Sequence, residues 1–467
     1  MMKIKKFIGD KAFYRTVLAI AVPIMIQNGF TNLVNLLDNI MVGRLGTEPM
    51  SGVSIVNQFI FIFNLLIFGA ISAAGIFTAQ YHGSGDVKGE RHTFRFKLLI
   101  NVIATAAGIL VFLCLDEPLI RLFLHEGGAE GDLALTLREG QRYLRVMLIG
   151  LLPYAIAQAY ASTMREVGET LLPMLASVAA VVTNFVLNLI LIFGLLGAPA
   201  MGVAGAALAT VISRFAELAI LLIWGHTHTE KCAFLKGAYR SLRIPRALMG
   251  RIALKGLPLM LNELFWAVAV TMRNQCYSTR GLDVVAAQNI NTTIENLVSV
   301  VYFALGTSIS IVVGNLLGAG KTEEAKDTDR KMIAFAVCCA VGMGGILMLI
   351  SGVFPRLYNT GEAVHRLAGY MMIVTAVVTP FRSFAHAAYF TLRSGGKVMI
   401  TLLFDSVYMW VIVIPVAAVL AHVTALDIHW LFALCQGVEA AKFMLGMLLL
   451  RRGNWATRLI AEEERTA

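Results

Sequence analysis

The stretch PIMIQNGFTNLVNLLDNIMVGRLG, residues 23–46, returns in altered form as PLMLNELFWAVAVTMRNQCYSTRG, residues 258–281. At this offset of 235 the match runs without a gap from Pro23/Pro258 to Arg95/Arg330, with 12 of 73 positions identical. Pro23/Pro258, Asn39/Asn274, Gly46/Gly281, Gly83/Gly318 and Gly85/Gly320 are among them. Met164-Arg165-Glu166-Val167-Gly168 also aligns with Leu392-Arg393-Ser394-Gly395-Gly396, at an offset of 228. The identity is modest. The missing gaps and the recurring turn glycines make duplication the better reading.

Composition says what is duplicated. The 467 residues are 58% hydrophobic and 15% charged, where a soluble chain is about 25% charged. A bilayer-spanning helix needs about 20 apolar residues. Such runs are found at 16–42, 53–79, 98–115, 146–163, 171–196, 202–224, 256–279, 284–313, 332–353, 367–391, 398–420 and 429–450. The expected fold is therefore an all-α membrane protein with twelve transmembrane helices in two pseudo-symmetric six-helix lobes. Residues 1–230 form the first lobe and 231–467 the second, with the basic loop 225–255 at the junction. With the amino terminus inside, the inside segments carry 27 Lys and Arg and the outside segments 8. That asymmetry predicts a plasma-membrane protein with both termini cytoplasmic. It also assigns the net charge of +10 to the membrane surface rather than to nucleic acid. The basic MMKIKKFIGDKAFYR start precedes a full-length apolar run, so the first helix reads as retained rather than cleaved. Six cysteines lie mostly in apolar runs without metal-ligand spacing, and read as small packing residues.

Charges inside spans are costly and mark function by default. Asp38 lies near the outer end of the first span, with Asn35 and Thr31 three and seven residues before it on the same face. Asn184 and Asn188 share a face at four-residue spacing; they are cation or substrate ligands, or hydrogen-bond glue between helices. Glu263 and Asp405 each sit about seven residues into a span that starts inside. They are expected to share a polar interior, with Arg382. Glu295 lies nearer mid-span. The repeat maps Asp38 onto Arg273, so opposite charges at equal depth are expected to face each other across a cleft. Arg214/Glu217 and Lys442/Glu439 are spaced to neutralise each other. Gly83-Ser84-Gly85 lacks the Lys-Ser/Thr and the preceding strand of a phosphate loop and reads as a tight inside turn. His226, His228 and Cys232 lie in a loop with no fourth ligand at good spacing, so a metal site is disfavoured.

These segments together resemble the multidrug and toxic compound extrusion (MATE) family. Leu37-Asp38-Asn39-Ile40-Met41-Val42-Gly43-Arg44-Leu45-Gly46 resembles that family's first-helix signature. Gln80-Tyr81-His82-Gly83-Ser84-Gly85-Asp86 and Val313-Gly314-Asn315-Leu316-Leu317-Gly318-Ala319-Gly320 are similar to its loops after helices two and eight. Met164 to Thr170, and Ile192-Phe193-Gly194 through Gly202-Val203-Ala204-Gly205-Ala206-Ala207, fit its helix five and six region. The resemblance covers nearly the whole chain in order. It implies a monomeric antiporter that exports small organic, often cationic, drugs or metabolites in exchange for protons or sodium, with no other cofactor. It further implies an amino-terminal site of Asp38 with Asn184, Asn188 and Thr210. Some members carry Asp where Asn188 stands, so one carboxylate is missing here. Some branches place an acid where Trp266 stands. Glu263 is near but not in register, and its role, like that of Asp405, rests on depth alone, while that of Arg273 rests on the repeat. The competing reading within the superfamily is a lipid-linked saccharide flippase, for which several cavity cations would be expected. A major-facilitator carrier would need an Asp-Arg and Gly-Arg-Arg loop that 80–97 lacks. A membrane enzyme would need a nucleophile–base or metal constellation that is not found.

Overall fold

The structure is a computed structural model and describes residues 4–121, 132–241 and 243–461. Parts of the outside segment 116–145 and of the terminal segments 1–15 and 451–467 lie outside those residues. The helices are α1 (Lys11–Gly43), α2 (Thr47–Ser84), α3 (Val87–Arg121), α4 (Leu133–Ile149), α5 (Leu151–Glu166), α6 (Leu171–Phe193), α7 (Val203–Thr227) and α8 (Arg246–Ser278). After them come α9 (Leu282–Gly318), α10 (Thr322–Ile350), α11 (Glu362–Ser394), α12 (Val398–His422) and α13 (Ile428–Arg451). Eleven of these are long and apolar enough to cross a bilayer. The pair α4–α5, bent by 47°, supplies the twelfth crossing. The chain is a multi-pass membrane protein, as its composition requires.

The bend has a local cause. Pro153 has no N–H to give the carbonyl of Ile149, so the helix is broken there. Gly150 fills the break, because a Cβ on it would crowd Val211 and Arg214 of α7 at 3.0 and 3.2 Å.

The repeat is written in the backbone. Gly46 and Gly281 turn with φ of 117° and 115°, and Gly85 and Gly320 with φ of 77° and 76°. These left-handed values belong to glycine, which has no Cβ to clash. The second helix of each half is also the more buried: 67% of the most apolar stretch of α2 and 61% of that of α9 are buried, against 17% for α3 and 28% for α10. Exposed Leu110, Leu113, Ile346 and Leu349 on the third helices present the apolar surface that hydrocarbon needs.

Two compact units form. One comprises Met1–Met25, Ala79–Asp86 and Leu257–Ala467; the other comprises Ile26–Thr78 and Val87–Gly256. The sequence division at 230/231 is linear, whereas these units exchange segments. The exchange points in α1 and α8 lie within three residues of Pro23 and Pro258, where a missing backbone donor lets a helix change course. Within the first unit, a Cβ on Gly83 would overlap the backbone carbonyl of Asn315, and one on Gly318 that of Gln80. Since Gln80 and Asn315 are themselves repeat-related, this is a reciprocal crossing of two equivalent helix ends. Gln80 also binds Ser394 O at 3.2 Å and Thr457 O at 3.1 Å, and accepts from Leu459 N at 2.7 Å.

The loop 225–255 is more structured than a solvated linker. Cys232, Phe234, Leu235 and Ala238 are buried against Phe94 and Tyr160. Arg95 fixes the loop by donating to the carbonyls of Ala238 (2.7 Å), Gly237 (3.0 Å) and Arg243 (3.2 Å). Burial pushes the Cys232 thiol up to about 12. His228 stacks on Trp224 with ring centroids 4.5 Å apart, and His226 Nε2 meets Tyr160 Oη at 3.3 Å.

Candidate cation and substrate site

In the unit holding most of α1, the side chain of Asp38 is half-buried. Asn188 of α6 donates to its Oδ1 at 2.6 Å. Asn184, one turn earlier on α6, satisfies its neighbours best with its nitrogen 3.1 Å from each Asp38 oxygen and its own oxygen 3.1 Å from Thr210 Oγ1 of α7. Three helices therefore bring Asp38, Asn184, Asn188 and Thr210 into one chain of polar contacts. Asn184 and Asn188 are 5% and 1% exposed, so these bonds compete with little water. No cationic side chain pairs with Asp38 among the described residues, and Asn188 Oδ1 is buried without a donor. Thr31 and Asn35 are exposed and stand outside this chain. The Thr31 hydroxyl donates to Gln27 O at 2.9 Å within α1.

The other unit treats its charges differently. Tyr389 donates to Glu263 at 2.8 Å. Asn262 reaches Asp405 at 3.1 Å and Tyr389 Oη at 3.5 Å, and Lys442 closes on Asp405 at 2.6 Å. Glu263 and Asp405 thus do share a polar interior. Arg382 is not part of it. It pairs instead with Glu295 and Gln436, and reaches Glu439 at 3.4 Å. Arg273 finds its carboxylate at Glu439 within its own unit. Lys442 takes Asp405 rather than Glu439, the partner that its sequence spacing suggested. Arg214 lies over the Tyr154 ring, 4.9 Å from the centroid.

Asp405 owes its placement to irregular backbone. Helix α12 is in π geometry over Leu403–Val407 and Met409–Val413. Pro415 follows, and its missing N–H frees the carbonyl of Val411. Such π segments re-aim side chains and frequently mark functional sites. Sequence reasoning missed Asn262, Tyr389 and Gln436, which look ordinary in an apolar run, and left Glu295 unassigned. The one available signal was the in-span Pro415.

A polytopic helical protein of two duplicated halves, each with buried ionisable side chains at membrane depth, has the make-up of a secondary transporter. The MatE family model matches residues 23–190 and 258–419, well over half the chain and in register with the internal repeat. The chain belongs to the MATE family of membrane transporters. It is 23% identical over 453 residues to a probable multidrug resistance protein NorM of Thermotoga maritima, covering 97% of this chain and 95% of that one. It is 25% identical over 416 residues to multidrug resistance protein PmpM of Pseudomonas aeruginosa, covering 87% and 83%. Its fold is similar to the outward-facing conformation of a multidrug resistance MATE transporter of the MOP superfamily, with a TM-score of 0.84 at 21% identity, over 96% and 98% of the two chains. The Vibrio cholerae MATE transporter VcmN in its bent form matches with a TM-score of 0.82 at 19% identity, over 96% and 99%.

Proposed function

We propose that this protein is a secondary active antiporter that exports small organic, often cationic, compounds in exchange for protons, with Asp38 as the coupling acid. The observation that carries the reading is the company Asp38 keeps. Its partners are neutral amides, with no cation among the described residues, so its charge is available to a proton or to a cationic solute. Asn188 offers Asp38 its Nδ2 at 2.6 Å, and its Oδ1 is buried without a partner, so a turn of the amide would present an acceptor to the hydrogen that a protonated Asp38 carries. Exchange follows from competition: a proton arriving from outside displaces the cation, and loss of the proton inward restores the charge that attracts the next one. Protons are favoured over sodium because the site offers one carboxylate, with Asn188 where a second acid would sit. The named relatives, multidrug resistance proteins, support the efflux of drugs.

The test is dye efflux in proteoliposomes against imposed proton and sodium gradients. Wild type is expected to respond to the proton gradient, and a folded Asp38→Asn variant to lose the response. Gradient-driven efflux by Asp38→Asn would remove Asp38 from the mechanism, and drive by sodium alone would replace the coupling ion.

A further inference from the structure

The unit containing Arg273 holds a cavity of about 140 Å³ that the Asp38 mechanism does not use. It is lined by Arg273, Arg382, Glu295 and Glu439, with the amides Asn274 and Gln288 and the aromatic residues Trp266, Tyr302 and Phe303. Its volume is close to that of a protein cavity known to hold one benzene ring. Its chemistry, unlike a benzene site, is two-sided.

The donors come first. Arg273 and Arg382 are 5% and 7% exposed. Arg273 engages Glu439 through Nη1, and its Nε has no acceptor among the described residues. The side-on Nε–Nη2 edge is the one that grips a carboxylate with two parallel bonds. Arg382 spends Nη1 and Nη2 on Glu295, Gln436 and Glu439, and its Nε is likewise without an acceptor. Lys442 also lines the cavity, but Asp405 holds its ammonium at 2.6 Å. The acceptors follow. Asn274 Oδ1 and Gln288 Oε1 are buried and have no donor among the described residues. Buried polar atoms left without partners are costly, and a ligand able to meet both sets would lower that cost. With Lys442 held by Asp405, two arginines balance two carboxylates in the lining, so an anion is favoured by the two unpartnered arginine Nε donors and not by net charge.

We propose that this cavity binds a small aromatic carboxylate that also carries an N–H or O–H donor, its carboxylate on the Nε edge of Arg273 and its donor toward Asn274 and Gln288. The ring lies among Trp266, Tyr302 and Phe303. Asp38 is not among the lining residues, and the proposal does not depend on which ion drives transport.

The probe is radiolabelled 4-aminobenzoate, its equilibrium binding measured on purified protein in nanodiscs with no ion gradient. A failure of the coupling reading therefore leaves the result untouched. Wild type is expected to bind the probe saturably, to release it to unlabelled 4-aminobenzoate, and to retain it against a tenfold excess of the methyl ester. Arg273→Gln should weaken binding about tenfold or more, the loss expected for one charge-assisted contact, and Arg273→Lys should weaken it less. Asn274→Leu, which removes an acceptor and fills the cavity, tests the same site without disturbing the Arg273–Glu439 pair. Equal displacement by the ester, undiminished binding in Asn274→Leu, or displacement by inorganic pyrophosphate where the acid is ineffective would each overturn the assignment.

Discussion

Lys442→Met would strip Asp405 of its ion-pair partner. The pair is 2.6 Å long with side chains 11% and 13% exposed, so salt screens it little. Removing one member of a buried pair costs about 3–5 kcal/mol, since the survivor stays buried and uncompensated. Asn262 still donates to Asp405 at 3.1 Å, which places the expected loss near the lower end, about 3 kcal/mol. The contact of Lys442 with the Phe404 ring, 5.4 Å from its centroid, adds about 0.5–1 kcal/mol. In the double variant Lys442→Met/Asp405→Leu both charges are gone, so its cost should fall short of the summed single losses by about 2–3 kcal/mol. The same cycle with Glu439→Gln should show little coupling, because Glu439 is held by Arg273 and Arg382. Reversible SDS unfolding followed by tryptophan fluorescence gives the required free energies. Additive losses for Lys442 and Asp405, or a larger coupling between Lys442 and Glu439, would refute the pairing and return the three-residue reading.

Two further predictions test the side of the membrane expected for the 225–255 loop and the close crossing at Gly83. With its thiol buried and pushed up to about 12, Cys232 should resist maleimide near pH 7.5 from either side, since a pKa near 12 lowers the thiolate fraction by about three orders of magnitude relative to a free cysteine. Glu230→Cys, at an exposed position two residues earlier, should label rapidly, and only from the cytoplasmic side; labelling from outside in intact cells would overturn the topology. Gly83→Leu should lower the unfolding midpoint by the equivalent of about 1–3 kcal/mol or more, because its side chain would enter the Asn315 backbone. Gly342→Ala, with nothing within 4 Å of the added atom, is the control and should be neutral or better; a wild-type midpoint for Gly83→Leu would dispose of the close crossing.

What the sequence disclosed follows the reach of its signals. Hydrophobic run length is one-dimensional, so all twelve crossings were legible, and the duplicated glycines foretold matched turns at Gly46/Gly281 and Gly85/Gly320. Spacing along one helix linked Asn184 to Asn188. Pairings between helices have no period to read. Lys442 was matched with Glu439 because both lie on one helix, yet the π geometry of α12 delivers Asp405 to it from another. Arg382 was set beside Glu263 and Asp405 by depth alone, and depth does not say which way a side chain turns. The loop 225–255 looked solvated from its seven basic residues, while its buried cluster of Cys232, Phe234 and Leu235 is too short to register as a hydrophobic run.

The repeat makes one physical contrast sharp. Asp38 and Arg273 occupy equivalent positions on equivalent helices, entered through equivalent prolines. One is surrounded by amides that hold it without neutralising it. The other is paired with Glu439 beside Arg382 and Glu295, so changing the charge of any one of them strands another inside the protein. A group that must gain and lose a proton in each cycle needs the first arrangement, because each exchange then disturbs hydrogen bonds and not a buried ion pair. A group that must keep its charge while presenting a free guanidinium edge needs the second. Duplication supplied two copies of one backbone, and the polar substitutions made them unlike. Asp38→Asn and Arg273→Gln should accordingly fail in different assays, the first in gradient-driven efflux and the second in equilibrium binding of a carboxylate.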